Sequence, residues 1–337
     1  MGNLFNTHSG NSRLGVSKFS IFTLVKGAAS ILALSSAVKA RRRVLVVGSA
    51  SLLMPMAGIH AATINLANPV SGQVTDFAVY YDFNQNSGTS VSDSSGLNIN
   101  GTINQAQADN APSWATGVNL PGTSNYGNGL KFNNPDFDTV TKQGYVSTAT
   151  TGATSPLNLS NTSFTIGMWL KMDSINSGVV QTGWLLDKKG GSLSNGGWAL
   201  ILSKTATDIW SLTLRLDNAS AISTTFSTLN DLAWHHLGVS YDVDTNGASF
   251  YVDGQIIATQ DNKLAGLTNN GIGLMVGQRN LTNANVGTAY NMEMDDLFVA
   301  TSVYSFAAVP EPSAVTLVTP ALGIAMFFGW RKFASRN

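Results

Sequence analysis

The chain has 337 residues, no cysteine, and 19 Lys/Arg against 19 Asp/Glu. That balance averages unlike parts: residues 1–61 hold seven Lys/Arg and no acid, whereas residues 62–309 hold nine Lys/Arg against eighteen Asp/Glu. The missing cysteine excludes disulfides, thiol nucleophiles and cysteine-ligated metal sites, and the acidic middle lacks the basic face that nucleic acid binding needs.

Arg41-Arg42-Arg43 precede an apolar stretch from Val44 to Ile59 that ends in small residues at Ala61 and Ala62. A basic start, an apolar centre and a small-residue end read as a secretory signal cut by signal peptidase near Ala61; a buried helix is the alternative. A second basic–apolar stretch, Lys18 to Ala37, lies upstream. The leader is therefore either extended or its true start lies downstream. Residues 62–74 read as a linker.

Residues 75–306 carry period-two alternation, the mark of half-buried strands. Phe77, Val79, Tyr81 and Phe83 fall on one face, and Phe164, Ile166, Met168 and Leu170 on another. Leu212, Leu214 and Leu216 alternate with polar residues, as do Leu237, Val239 and Tyr241. Ile272, Leu274 and Val276 follow the same rule, and Leu297 and Val299 close the set. Asp253-Gly254 between two apolar runs is a strong hairpin signal. Asn/Gly/Ser clusters such as Asp93-Ser94-Ser95-Gly96 separate the runs. Only two Glu occur, Glu293 and Glu311, and no amphipathic helical period stands out. The expected fold is all-β, two antiparallel sheets packed as a sandwich.

The ordered series resembles a known family. Tyr80-Tyr81-Asp82-Phe83 leads to Asp93-Ser94-Ser95-Gly96, Asn100-Gly101-Thr102 and Gly127-Asn128-Gly129-Leu130. Next come Phe164-Thr165-Ile166-Gly167-Met168-Trp169, Trp234-His235-His236-Leu237, Tyr251-Val252-Asp253-Gly254 and Met294-Asp295-Asp296-Leu297. The series is similar to the LamG-type concanavalin A-like lectin/glucanase domain, a jelly-roll sandwich. The resemblance implies binding of extracellular carbohydrate or a surface protein, often with a bound Ca²⁺. It names no single ligand, since one fold hosts many functions.

Calcium takes oxygen ligands from carboxylates, carbonyls and water. Asp93 opens a polar turn to which Asn100-Gly101 folds back, and Asp295 falls on the alternation face of Leu297 and Val299. An inward carboxylate needs a partner. One Ca²⁺ held by Asp93, Asn100, Gly101 and Asp295 would supply it structurally, as matching positions in the resembling family often do. The alternative is that Asp93 forms an Asx turn and Asp295 accepts backbone N–H groups.

Sugars stack on exposed aromatic faces. Trp184 and Trp210, beside loops, are the ligand-binding candidates; Trp169 and Trp234 read as core. His235 and His236 are adjacent strand residues on opposite faces, so they do not share an ion; both are expected to hydrogen-bond locally. Glycoside hydrolysis needs two paired carboxyls. Glu293-Met294-Asp295 offers a single Glu, and no other hydrolase motif occurs. The expectation is a non-catalytic binding or adhesion protein. A structural matrix protein without a discrete ligand and a hydrolase of the same fold are the alternatives.

Pro310-Glu311-Pro312 precedes an apolar run, 314–330, and the basic residues Arg331, Lys332 and Arg336. This arrangement within 307–337 resembles the PEP-CTERM sorting signal of Gram-negative bacteria. It implies export, transient anchoring by the apolar helix, recognition by an exosortase, and a place in the envelope or the extracellular, biofilm-type matrix. A simple anchor helix is the alternative.

Overall fold

The computed structural model describes residues 61–307, apart from 68–69, 71, 106–109, 120–126, 135–142, 150–151, 153, 190–195, 218–219, 262–266 and 280–289. The leader 1–60, Pro310, Glu311, Pro312, Arg331, Lys332 and the apolar run 314–330 lie outside the described residues. Among the described residues there is no α-helix, only a 3-10 turn at Thr228–Asp231.

The described residues form eighteen strands. The first sheet contains β3 (Ser90–Val91), β4 (Gly101–Gln105), β7 (Gly144–Thr148), β9 (Gln181–Asp187), β10 (Trp198–Lys204), β11 (Trp210–Leu216), β12 (Ser220–Phe226) and β16 (Met275–Val276). Its order is β12-β11-β10-β9-β16-β7-β4-β3. The second contains β5 (Ser113–Thr116), β6 (Asn128–Phe132), β8 (Phe164–Met172), β13 (Trp234–Asp242), β14 (Gly247–Val252), β15 (Gln255–Gln260) and β17 (Met292–Ala300). Its order is β15-β14-β13-β8-β17-β6-β5, and β2 (Phe77–Tyr81) also pairs with β17. The sandwich expected from alternation is thus the fold.

The core lies between the sheets. Phe164, Ile166, Met168, Leu170 and Met172 of β8 enter it from one side; Trp198, Leu200 and Leu202 of β10 and Leu212, Leu214 and Leu216 of β11 enter from the other. Each buried aliphatic side chain stabilises by about 1.5–3 kcal/mol relative to exposure. Asp253 and Gly254 both have positive φ, 50° and 78°, as the tight β14–β15 turn requires.

Three expectations fail. The alternation of 77–83 breaks: Phe77 leaves the core side and stacks on Tyr80 at 4.9 Å, because β2 shifts register against β17 at Val299/Ala300. The run 272–276 forms only the two-residue β16. The segment 62–74 is not a linker. Its β1 (Ala62–Asn65) pairs in parallel with β18 (Tyr304–Ala307), and Ile64, Leu66, Val70 and Val74 are buried. With Tyr80, Trp169, Tyr251, Phe298 and Phe306 they form a second apolar layer outside the second sheet.

Candidate functional site

Asp93 does not meet Asp295. Its Oδ1 accepts the N–H groups of Tyr80 and Ser95, both at 3.0 Å. Its Oδ2 accepts the Ser95 hydroxyl and the Ile99 N–H, both at 2.8 Å. Asn100 Oδ1 accepts the Asp93 N–H at 2.8 Å. A carboxylate offers about four lone-pair sites, and all are used. Asp93 is a turn staple that holds the start of β4 to β2. Gly101 is required by packing, since a Cβ there would lie 2.5 Å from Val146 Cγ1. Asn100 borders a surface cleft of about 360 Å³ whose lining residues include no carboxylate. The four-residue set of Asp93, Asn100, Gly101 and Asp295 is therefore corrected: Asp93 belongs to the hydrogen-bonded turn, and Asp295 to a different cluster.

That cluster is built by a bulge. β17 shifts register against β8 between Asp295 and Phe298, and Asp296 has φ 46°. A bulge moves later residues to the opposite face. Asp295 thus pairs with Trp169, on the outer layer, whereas Leu297 and Val299 face the core. Strict alternation had placed all three together. Asp295 Oδ2 accepts the Val118 N–H at 2.9 Å and its Oδ1 accepts the Asp296 N–H at 2.8 Å. The Tyr80 hydroxyl donates to Asp296 Oδ1, while Asp296 Oδ2 is buried with no hydrogen-bond partner. Burial, reinforced by Asp296, pushes the Asp295 carboxyl up to about 8. Burial also pushes Asp296 up to about 6, against the Tyr80 hydrogen bond, with Asp82 adding to the rise.

A cation fits this pair better than the turn at Asp93, because an orphaned buried carboxylate oxygen and mutual repulsion both call for positive charge. Calcium would draw its remaining ligands from carbonyls and water. Among the described residues no group of three or more His, Asp or Glu is arranged as a ready-made metal centre.

Neither candidate tryptophan offers a bare ring. Trp210 is fully buried in the core, its Nε1 donating to Asn230 Oδ1 at 2.6 Å. This corrects its assignment as a sugar platform: the loop beside it is polar, but the first residue of β11 already points inward with Leu212 and Leu214. Trp184 lies on the outer face of the first sheet with Ala199 and Ile201 and is only 7% exposed. The guanidinium of Arg279 covers it, 4.8 Å from the ring centroid. Any ligand at Trp184 meets Arg279, a residue the sequence reading passed over; its sole signal was that only one other Arg lies between residues 62 and 309.

Glu293 is 8% exposed and accepts a 2.9 Å salt bridge from Lys171. His235 hydrogen-bonds Asp253 and Asp231 as expected. His236 does not: it is wholly buried, edge-on to Trp169 at 5.4 Å, with neither ring nitrogen bonded, and burial pulls its pKa down to about 3.

The family comparison agrees with this architecture. A family profile described as the Concanavalin A-like lectin/glucanases superfamily matches residues 141–309. No curated protein matches the chain. Among solved structures, the binding domain of Paraclostridial Mosquitocidal Protein 1 is similar with TM-score 0.47 and 13% identity, covering 68% of this chain and 49% of that one. The binding domain of Botulinum neurotoxin DC, solved in complex with rat synaptotagmin II, is similar with TM-score 0.43 and 16% identity, covering 68% and 48%. The chain spans about half the length of these structures.

Proposed function

The chain belongs to the concanavalin A-like lectin/glucanases superfamily, and from that premise we propose that it is a non-catalytic, exported protein that binds carbohydrate. The leader 1–61 would be removed by signal peptidase, and the tail 307–337, with Pro310-Glu311-Pro312, would be read by an exosortase. The place of action would be the envelope or extracellular matrix.

The observation that carries the binding reading is the outer face of the first sheet. Arg279 is seated on Trp184, and hydroxyl side chains extend along the neighbouring strands, with Thr182 and Ser203 joined at 3.1 Å. Polar groups fixed on a sheet meet sugar hydroxyls with little ordering cost. The non-catalytic reading is supported by Glu293, whose carboxylate is held by Lys171 rather than facing a second free acid. A structural Ca²⁺ would sit at Asp295 and Asp296, supplying charge to the two carboxylates and stiffening the junction of β2 and β17.

Glycan-array screening of the full-length chain beside Trp184→Ala tests this reading. Binding that falls at least about tenfold in the variant supports it. Burial of Trp210 and capping of Trp184 favour a second reading, a structural matrix protein; an array without hits and concentration-dependent self-association would support that one instead.

A further inference from the structure

We propose that the ligand bound at the Trp184 face is an anionic glycan, one bearing carboxylate or sulfate groups, and that Arg279 and Arg215 are its charge readers. The proposal rests on the carbohydrate-binding reading above and adds the charge class of the sugar.

Residues 62–309 contain two arginines, and both lie on this one face. Arg215 of β11 pairs with Ala199 of β10, which pairs with Asp187 of β9. One step along the same face, Thr213 pairs with Ile201, which pairs with Trp184. Lys189, just beyond β9, feels both guanidinium groups. Its pKa is lowered first by burial, then by Arg215, with Arg279 adding to the fall while Asp187 and Asp217 oppose it. Three cations therefore converge where two carboxylates answer them. Asp187 is itself enclosed, its Oδ1 accepting the Lys189 N–H at 2.8 Å.

Arg279 is prepared for an acceptor it lacks. Its guanidinium lies over the indole, whose negative face attracts the cation and holds the side chain in place. Its Nε is buried without a hydrogen-bond partner. An unpaired buried donor is costly, and the planar fork of guanidinium matches carboxylate or sulfate oxygens. Away from this face, four lysines have internal partners. Lys131 pairs with Asp173, Lys171 with Glu293, Lys204 with Asp208, and Lys188 donates to Asn158 and Asn270. With eighteen acids between residues 62 and 309, a polyanion is repelled from most of the domain and admitted here, which fixes its orientation. A strip of Ser203, Thr182, Ser211 and Thr213 continues the face and suits a polymer better than a lone small anion.

The test uses the full-length chain and four probes: polygalacturonate, its fully methyl-esterified form, dextran sulfate and dextran. The methyl ester keeps the backbone and removes the charge. The expected result is binding of polygalacturonate, dextran sulfate or both, at least about tenfold tighter than their neutral counterparts. The preferred probe tells carboxylate from sulfate. Affinity should fall between about 50 and 300 mM salt. Arg279→Gln and Arg215→Gln should each lose about tenfold or more on the charged probe while the chain still unfolds cooperatively. Arg279→Lys should keep part of the affinity. Equal binding of charged and neutral probes overturns the anionic assignment and leaves the glycan reading standing. Polyanion binding that both Gln variants retain also overturns it, by placing the site elsewhere. Binding of none of the four by folded protein overturns both.

Discussion

His235 and Asp253 are joined end to end across the β13–β14 hairpin, with Nδ1 of the ring 2.7 Å from Oδ2 of the carboxylate. Nε2 lies 2.9 Å from Asp231 at the far side of the ring. Burial pulls the imidazole pKa down, but the hydrogen bonds and charges of Asp253 and Asp231 outweigh it, and the net shift is upward from 6.5. A raised folded pKa stabilises fully below the unfolded value and loses that contribution as pH rises through the folded one. Asp253→Asn keeps the Oδ1 acceptor for the His236 N–H and removes the charge. The gap in melting temperature between wild type and Asp253→Asn should be widest below pH 6.5 and close as pH rises through the raised folded value. With partners that are partly solvent-screened, the corresponding difference in unfolding free energy should be on the order of 1 kcal/mol.

The Asp295–Asp296 pair predicts a dependence in a higher range. Both folded values, about 8 and about 6, exceed the ordinary 3.8. The pair's contribution is complete below 3.8 and is lost as pH climbs through 6 and 8. In EGTA the melting temperature should fall across that interval, and Asp296→Asn should fall less. Added Ca²⁺ should raise the wild-type midpoint at pH 8 by mass action. Asp295→Asn and Asp296→Asn should not respond, whereas Asp93→Asn should be less stable yet still respond. A wild type indifferent to Ca²⁺ would mean that a proton, not a cation, serves the pair.

Trp210 belongs to the core, so its loss should be felt as stability. Trp210→Ala should cost roughly 3–5 kcal/mol, visible in denaturant unfolding. Trp210→Phe should cost less and leave glycan binding unchanged. Weakened binding by a Trp210→Phe chain of normal stability would return this residue to the ligand.

Gly238 faces the ring of Phe306, and a Cβ there would lie 2.5 Å from it. Gly238→Ala should push Phe306 away and loosen β18 from β13. The expected cost is about 1–3 kcal/mol by overpacking. Hydrogen exchange should rise first at Ile64 and Phe306, before the sandwich core opens.

Much of the sandwich was legible because its pattern is local. Trp210 to Leu216 alternates without interruption, every second residue from Phe164 to Met172 enters the core, and Asp253-Gly254 names its own turn. Irregular steps escaped the reading. A count of two cannot foresee the bulge at Asp296, and that single step sends Asp295 to the outer layer. The sequence places Asp93 at the opening of a polar turn but assigns its carboxylate to a cation; its Tyr80 contact joins residues thirteen apart and depends on tertiary folding. The Trp184 site was half visible. The indole was marked, but Arg279 is brought to it from a distant segment of chain, and no spacing rule connects the two.

The parallel pairing of β1 with β18 has a mechanical consequence. Ala62 stands beside Tyr304 and Asn65 beside Ala307, so the domain is entered and left through strands that run side by side in one direction. Tension applied between residues 62 and 307 draws the two strands past each other along their length. The four paired positions then carry the load together in shear instead of parting one after another like a zip. Thr63 and Ser305 add a 2.8 Å hydroxyl contact between them. A protein held at its ends while gripping a polymer would meet such a pull along its most resistant direction.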